Sequence, residues 1–292
     1  MTAIAPDSTA GRSSSSFWHA AWYRYRRNRL ALISGAIAVL ILLVAALARV
    51  IAPYGYAAQD LSASLADPSW QHLLGTDELG RDMLSRAIYG AQTSMSIAIG
   101  APLLGALLGL PIGIISGWVG GWTDYFTLRA FEVFTMVPQI LMALLLIALF
   151  GSGVGKLVLF LGITAWVGFA RLARAQLISL RDRDFVQAAR SLGVPTWRIV
   201  IIHVLPNALG PIVVFFVQQI PATIFAAAGF SFLGLGVQDP LADWGQMIND
   251  GEQFLPLKPL VALLPIFCIA VATLSFSFAG DGLRDALDPT SR

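Results

Sequence analysis

The chain has 292 residues, of which 57% are hydrophobic and 12% are charged, and its formal net charge is +2. Soluble domains carry about 25% charged residues. This composition therefore excludes a water-soluble globule, an intrinsically disordered chain and a strongly basic nucleic-acid-binding protein. A single cysteine, Cys268, excludes a disulfide framework, and three scattered histidines make a metal centre unexpected. The composition indicates a polytopic membrane protein.

Six apolar segments are long enough to cross a bilayer, which requires about 20 residues each. They are 30–51, 94–118, 126–150, 154–175, 208–236 and 260–280. Backbone polar groups must be paired in lipid, so continuous runs of this length are helical. The alternation over about 10-residue strands that marks a membrane β-barrel is not visible. The predicted fold class is all-α, with six transmembrane helices.

Charged residues predict the orientation of these spans. Basic residues concentrate on the cytoplasmic side of membrane proteins. Arginines are frequent before the first span and between the fourth and fifth spans, whereas the loops after the first span and before the sixth are acidic. Both termini are therefore predicted to be cytoplasmic. Ala46-Leu47-Ala48 resembles a signal-peptidase site, but the long apolar run and the 29-residue segment before it favour an uncleaved first helix.

The predicted organisation of the chain follows from these assignments. It comprises a cytoplasmic tail (1–29), the first helix (30–51), an extracytoplasmic loop (52–93), a five-helix core (94–281) with a cytoplasmic elbow (177–206), and a C-terminal tail (282–292).

The elbow contains the most informative sequence, DFVQAARSLGVPTWRIVIIHVLPNALGP, from Asp184 to Pro211. A helix is predicted up to Leu192, because Gly193 is a typical C-terminal stop and Pro195 cannot easily continue a helix. Residues 196–204 predict a second short amphipathic helix before the fifth span. Small Ala188 and Ala189 would allow another surface to approach closely. The segment is interpreted as a docking element and not as a catalytic one.

This stretch resembles the EAA loop of ABC-importer membrane subunits. Ala188-Ala189, Gly193 and Leu205-Pro206 match the pattern, while Gln187 replaces the usual Glu and His203 the usual Ile. In that family the loop is a coupling helix that sits in a groove of a cytoplasmic ATPase. The resemblance implies that the coupling residues here are Asp184, Gln187, Ala188, Ala189, Arg190, Gly193, His203, Leu205 and Pro206.

Four further blocks narrow the resemblance. They are HLLGTDELGRDMLSRAIY from His72, SGWVGGWTD from Ser116, FSFLGLGVQDPLADW from Phe230 and GDGLRDALDP from Gly280. With the elbow, they resemble the second permease subunit of dipeptide/oligopeptide and nickel importers over roughly residues 20–289. This implies a type I ABC-importer permease fold in a prokaryotic cytoplasmic membrane, contacting lipid and translocating di- or oligopeptides.

The same resemblance implies the partners. A homologous permease would complete a heterodimer, two cytoplasmic ATP-binding subunits would hold ATP and Mg²⁺, and an extracytoplasmic substrate-binding protein would meet the acidic outer loops, including residues 52–92. No cofactor, metal, catalytic residue or nucleic-acid partner is expected for this chain itself.

Polar and small residues within the spans allow two interpretations each. Gln139, Gln218 and Gln219 could line a translocation path or bond neighbouring helices. Arg129 and Glu132 are three residues apart and predict a structural ion pair. Gly105, Gly109, Gly113 and Gly117 repeat every four residues, and packing within this subunit is favoured over a face for a partner.

Two other function classes are less well supported. An ATP-independent carrier or channel usually has ionisable groups near the bilayer midplane, and the deep parts of these spans carry amides but no carboxylates. An intramembrane enzyme would need a nucleophile or metal motif, such as HExxH, which the sequence lacks.

Overall fold

The computed structural model describes residues 14–287. Within this range the regular secondary structure consists of helices, which are joined by loops. The helices are α1 (Ser14–Arg27), α2 (Arg29–Ala46), α3 (Ala48–Ile51), α4 (Met83–Val119), α5 (Gly121–Met136), α6 (Gln139–Phe150), α7 (Val154–Arg181), α8 (Asp184–Ser191), α9 (Thr196–Arg198), α10 (Leu205–Phe232), α11 (Trp244–Gly251) and α12 (Pro259–Leu287). Short 3₁₀ turns lie at Leu61–Ala63 and Glu252–Phe254.

Five of the described helices are long and apolar enough to span a membrane, and a sixth candidate span is broken. The five are α2, α4, α7, the continuous helix Thr196–Phe232, and α12. The predicted all-α polytopic fold is confirmed. Helix α4 begins at Met83, about three turns before the apolar segment at Ser94, because Asp82 caps it by accepting the Ser85 N–H at 2.8 Å.

The third predicted span, 126–150, is not one straight helix. It consists of α5 and α6, which meet at an angle of 82°. Pro138 has no N–H and disfavours a helical residue before it, so Val137 is extended at φ −81° and ψ 121°. Within these two helices only Phe131 and Ala143 are buried. Most of this bent pair therefore lies on the surface of the isolated subunit.

The glycine stripe of α4 packs against α7 of the same chain. A Cβ on Gly105 would lie 2.8 Å from the Ala165 Cβ, and one on Gly117 would lie 2.7 Å from the Arg174 carbonyl oxygen. At Gly109 and Gly113 it would collide with the α7 backbone itself. The prediction of packing within this subunit is confirmed, and α4 and α7 form a closely packed pair.

Gly113→Ala should destabilise the bundle by about 1–3 kcal/mol, because the new methyl group must displace the Ala170 backbone. Gly155→Ala is the matched control, since its Cβ would meet nothing within 4 Å. That change should be neutral or slightly stabilising. Thermal unfolding of the purified chains in detergent compares the two. Equal melting temperatures would contradict the close approach of α4 to α7.

The remaining helices surround this pair. Helix α4 also contacts α2 and α10, and α12 packs between α2 and α10. The largest buried apolar cluster joins these four helices to α11, with Met95, Ile224, Trp244, Ile269 and Phe276 among its members. Trp244 Nε1 also donates to the Ala87 carbonyl at 3.0 Å, which fixes α11 against the first turns of α4. The bundle therefore holds α11 in a fixed position at the end where α4 begins.

Candidate functional site

Helix α8 ends at the glycine that the sequence predicts. Leu192 is the C-cap, and Gly193 follows with φ +74°. The Val194 N–H bonds the Ala189 carbonyl at 3.1 Å and the Gly193 N–H bonds the Arg190 carbonyl at 2.9 Å. This pair of bonds is a Schellman motif, which requires a left-handed residue at the position of Gly193. The prediction that Gly193 ends the helix is confirmed.

The second part of the elbow differs from the prediction. Residues 196–204 do not form a separate short helix, because α9 passes through a π-helical turn (Ile199–Val204) directly into α10. Pro206 explains the turn, since it lacks an N–H for the Ile202 carbonyl and would clash with it in a regular α-helix. The elbow is thus one short helix joined by a fixed turn to the start of a 37-residue helix.

The underside of α8 is packed into the protein. Val186 is fully buried and Ala189 is 8% exposed. They form a cluster with Leu177 of α7, and with Ile199 and Val204. The prediction that Ala189 leaves room for another surface is wrong, because its methyl group faces this internal cluster. The spacing of three between Val186 and Ala189 is a helical signal that could have shown this in the sequence.

The opposite side of α8 and the start of α9 present an apolar surface to solvent. Phe185 is 40% exposed, Trp197 is 64% exposed and Leu192 is 82% exposed. Ala188 and Gln187 are also exposed on α8. We call this set (Phe185, Gln187, Ala188, Leu192 and Trp197) the elbow surface. Exposed apolar surface marks interaction sites, so these residues form the candidate docking surface of the elbow.

The other predicted coupling residues have different surroundings. The Arg190 guanidinium lies 5.1 Å from the Trp118 ring centroid, so it connects α8 to the end of α4. Asp184 starts α8 and Pro206 starts α10, and both are exposed. His203 and Leu205 are half-buried in the π-helical junction, where the His203 carbonyl accepts from Asn207 Nδ2 at 2.6 Å.

The three glutamines of the predicted path are not brought together by hydrogen bonds within residues 14–287. Gln139 is exposed at the first residue of α6. Gln218 is half-buried and its Nε2 donates to Asp281 Oδ1 of α12 at 3.4 Å. Gln219 lies beside it on α10, with its carbonyl accepting from Thr223 Oγ1 at 2.8 Å. The predicted Arg129–Glu132 ion pair is formed on the exposed face of α5.

A buried cluster of charges at the opposite end of the bundle was not predicted. Arg81 and Arg86 are each 1% exposed. Arg81 Nε bonds Asp77 at 2.5 Å and its Nη1 bonds Asp239 at 2.9 Å, while Arg86 Nη2 lies 3.5 Å from Asp250. We call Asp77, Arg81, Arg86, Asp239 and Asp250 the charge cluster. It joins the loop before α4 to the segment between α10 and α12.

The surroundings of the charge cluster perturb its ionisation. Burial would lower the pKa of Arg81, but Asp77 and Asp239 raise it above its usual value. Burial, with the nearby charge of Asp239, raises the pKa of Asp250. Burial also raises the pKa of Asp243, although Asp243 caps α11 and accepts from Ser94 Oγ at 2.8 Å. His72 Nδ1 lies 3.0 Å from Asp82 at the edge of the same loop. These contacts fix the loop before α4 and the segment between α10 and α12 to the bundle.

Together, these features define a polytopic helical membrane protein: a bundle with loops fixed to one end and an exposed apolar elbow between two spans at the other. Residues 109–292 match the family described as binding-protein-dependent transport system inner membrane component, and residues 16–68 match the N-terminal TM domain of oligopeptide transport permease C. The chain belongs to the binding-protein-dependent transport permease family, the membrane components of ABC importers that work with ATPase subunits and a binding protein.

Curated relatives agree with this assignment. The glutathione transport system permease protein GsiD of Salmonella typhimurium is 42% identical over 273 residues, which cover 93% of this chain and 90% of that protein. GsiD of Escherichia coli (strain UTI89) is 40% identical over the same length.

A solved structure shows the same fold. An inward-facing MetNI methionine ABC transporter chain superposes with a TM-score of 0.59 at 19% identity, covering 70% of this chain and 98% of that one. The expected ABC-importer permease fold is confirmed.

Proposed function

We propose that this chain is the subunit through which short peptides cross the cytoplasmic membrane, paired with a similar permease in a heterodimer. The names of the relatives support the substrate class, because glutathione is a tripeptide and the matched N-terminal region is that of an oligopeptide permease. An extracytoplasmic binding protein would deliver the peptide to the outer loops, which the charge cluster holds in place. The positions of the arginines support cytoplasmic termini.

The observation that carries this proposal is the two-sided packing of α8. Its underside belongs to the protein core, and its exposed side carries Phe185, Ala188 and Leu192. The elbow surface would insert into a groove of the ATPase, with Asp184, Gln187 and Arg190 at its edge. This chain would hydrolyse nothing itself, since ATP and Mg²⁺ would be held by the two ATP-binding subunits.

The joint after α8 would carry the movement into the membrane. When ATP draws the ATPases together, a pull on α8 passes through the Schellman turn at Gly193 into α9. Because α9 is continuous with α10, the displacement reaches Gln218 and Gln219, about five to six turns further along the same helix. The π-helical turn at Ile199–Val204 lies between α9 and α10 within this continuous helix.

The break between α5 and α6 would face the translocation path. Helix ends leave backbone N–H and C=O groups free, and irregular backbone at membrane depth is tolerated only against protein or water. Val137, Pro138 and Gln139 are exposed in the isolated chain. The exposed Arg129–Glu132 pair on the same helix pair is also poorly suited to lipid. We therefore place this face on the path that the two permeases share.

Two neighbouring alanines test the docking role of α8. Ala188→Trp should remove ATPase co-purification and reduce ATP-driven peptide uptake at least tenfold, while the melting temperature stays unchanged, because Ala188 is exposed. Ala189→Trp should lower the melting temperature as well, since Ala189 is buried. The readouts are pull-down of the ATPases, uptake into membrane vesicles and thermal unfolding.

Two outcomes would contradict the proposal. Normal uptake by Ala188→Trp would show that the elbow surface does not couple the ATPases to transport. Peptide transport by the purified chain alone in liposomes, without ATPases, would instead support an ATP-independent carrier.

A further inference from the structure

Helix α1 is an amphipathic helix attached to one end of the bundle. Its Ala21 is buried against Leu283 and Leu287 of α12 and Val214 of α10. The Tyr25 hydroxyl donates to the Ala31 carbonyl at 2.9 Å, and Asn28 caps α2 by accepting the Ala31 N–H at 3.1 Å. Residues 1–29 are predicted from the sequence only as a tail, whereas the part from Ser14 to Arg27 is a docked helix.

An apolar groove of about 680 Å³ lies between α1, α2, α10 and α12. Its walls on α2 extend from Leu32 to Leu42, and on α12 from Phe276 to Leu287. At 1.5 Å per residue each wall is about 15 Å long, which is half of the roughly 30 Å hydrocarbon core of a bilayer. The groove therefore has the length of one leaflet and begins at the α1 end of the bundle.

Unpaired positive charge lies at that same end. Arg26, Arg27 and Arg29 are exposed, and among residues 14–287 none of them has a carboxylate within 4 Å. Arg26 lies over the Trp22 ring at 5.6 Å and Arg27 over the Tyr23 ring at 5.8 Å. Trp22 also lines the groove. Tryptophan and tyrosine beside arginine are typical of the membrane–water boundary.

We infer that this groove binds one anionic phospholipid, with an acyl chain between α2 and α12 and its phosphate at Arg26, Arg27 and Arg29. The apolar walls suit a hydrocarbon chain, and a groove of leaflet length that starts at the arginine end suits a lipid whose head lies there. Three exposed guanidinium groups without a carboxylate partner among residues 14–287 favour an anionic head over a zwitterionic one. This inference goes beyond the transport role and requires only that the chain sits in a membrane.

The test compares lipids on the assembled transporter. Wild type in mild detergent is offered phosphatidylglycerol or phosphatidylcholine, and retained lipid is counted by native mass spectrometry. Attraction between the three arginines and an anionic head predicts at least tenfold preference for phosphatidylglycerol. The double variant R26Q/R27Q should reduce that preference several-fold. Ala36→Phe, on the exposed wall of the groove, should lose both lipids.

A second position on α2, the helix that carries Ala36, provides the matched control. Leu40 is exposed on α2 but does not line the groove, so Leu40→Phe should retain phosphatidylglycerol like wild type. Equal retention of both lipids by wild type, or unchanged retention by Ala36→Phe, would overturn the inference. So would oxidant-induced disulfide cross-linking of Ala36→Cys to a cysteine introduced into the partner permease, because a helix of the partner would then occupy the groove. ATP-driven uptake is measured separately, so failure here leaves the transport proposal standing.

Discussion

Gly193→Val is expected to abolish ATP-driven peptide uptake, whereas Gly193→Asn should retain most of it. Gly193 has φ +74° and ends α8 in a Schellman motif. A left-handed conformation costs an L-residue about 1–2 kcal/mol, and a β-branched side chain tolerates it least. A Cβ at this position would meet nothing within 4 Å. Any effect therefore comes from the backbone conformation and not from a steric clash.

The Asn variant makes this prediction specific to the turn. Asparagine adopts left-handed conformations several-fold more often than other non-glycine residues, so it keeps the direction in which α8 leaves the turn. Peptide uptake and peptide-stimulated ATPase activity of the reconstituted complex measure the effect, and intact membrane insertion is checked by expression level. If the Val and Asn variants transported equally well, the turn would not be the joint that transmits movement.

Local signals in the sequence were sufficient for several features of the fold. Apolar runs of 20 residues indicate spans wherever lipid surrounds a helix, and Gly193 followed by Pro195 indicates a turn on its own. The glycine stripe of α4 was also readable, because four small residues at intervals of four must lie on one face. These features depend on residues within a few turns of each other.

Features that depend on distant residues were not predictable from one sequence. Arg81 and Asp239 are 158 positions apart, so their pairing required the folded bundle. The acids of these loops predict orientation and a contact surface for a binding protein, but not their pairing with Arg81 and Arg86, which lie among them. Pro138 alone does not predict the break at Val137–Pro138, because proline also occurs within continuous spans, as Pro111 does in α4.

Arg81→Met is expected to be the most destabilising single change, by about 3–5 kcal/mol, because it leaves buried carboxylates without their closest partner. Arg81 and Asp77 have side-chain exposures of 1% and 5%. Arg86 would remain, but its Nε lies 3.5 Å from Asp77 Oδ2 against 2.5 Å for the Arg81 Nε. Asp239 is 47% exposed, so solvent would screen part of the interaction between Asp239 and Arg81.

Denaturant unfolding in detergent measures this loss, and two variants isolate its cause. Arg129→Met removes an arginine from an exposed pair and should change stability little. The double variant Asp77→Asn/Arg81→Met removes both charges of the closest pair and should recover part of the loss. The outer loops would also lose their fixed position, so delivery of peptide by the binding protein should weaken together with stability. If Arg81→Met unfolded at the same denaturant concentration as wild type, Arg86 alone would be sufficient to neutralise the charge cluster. The two arginines would then be redundant in holding these loops to the bundle.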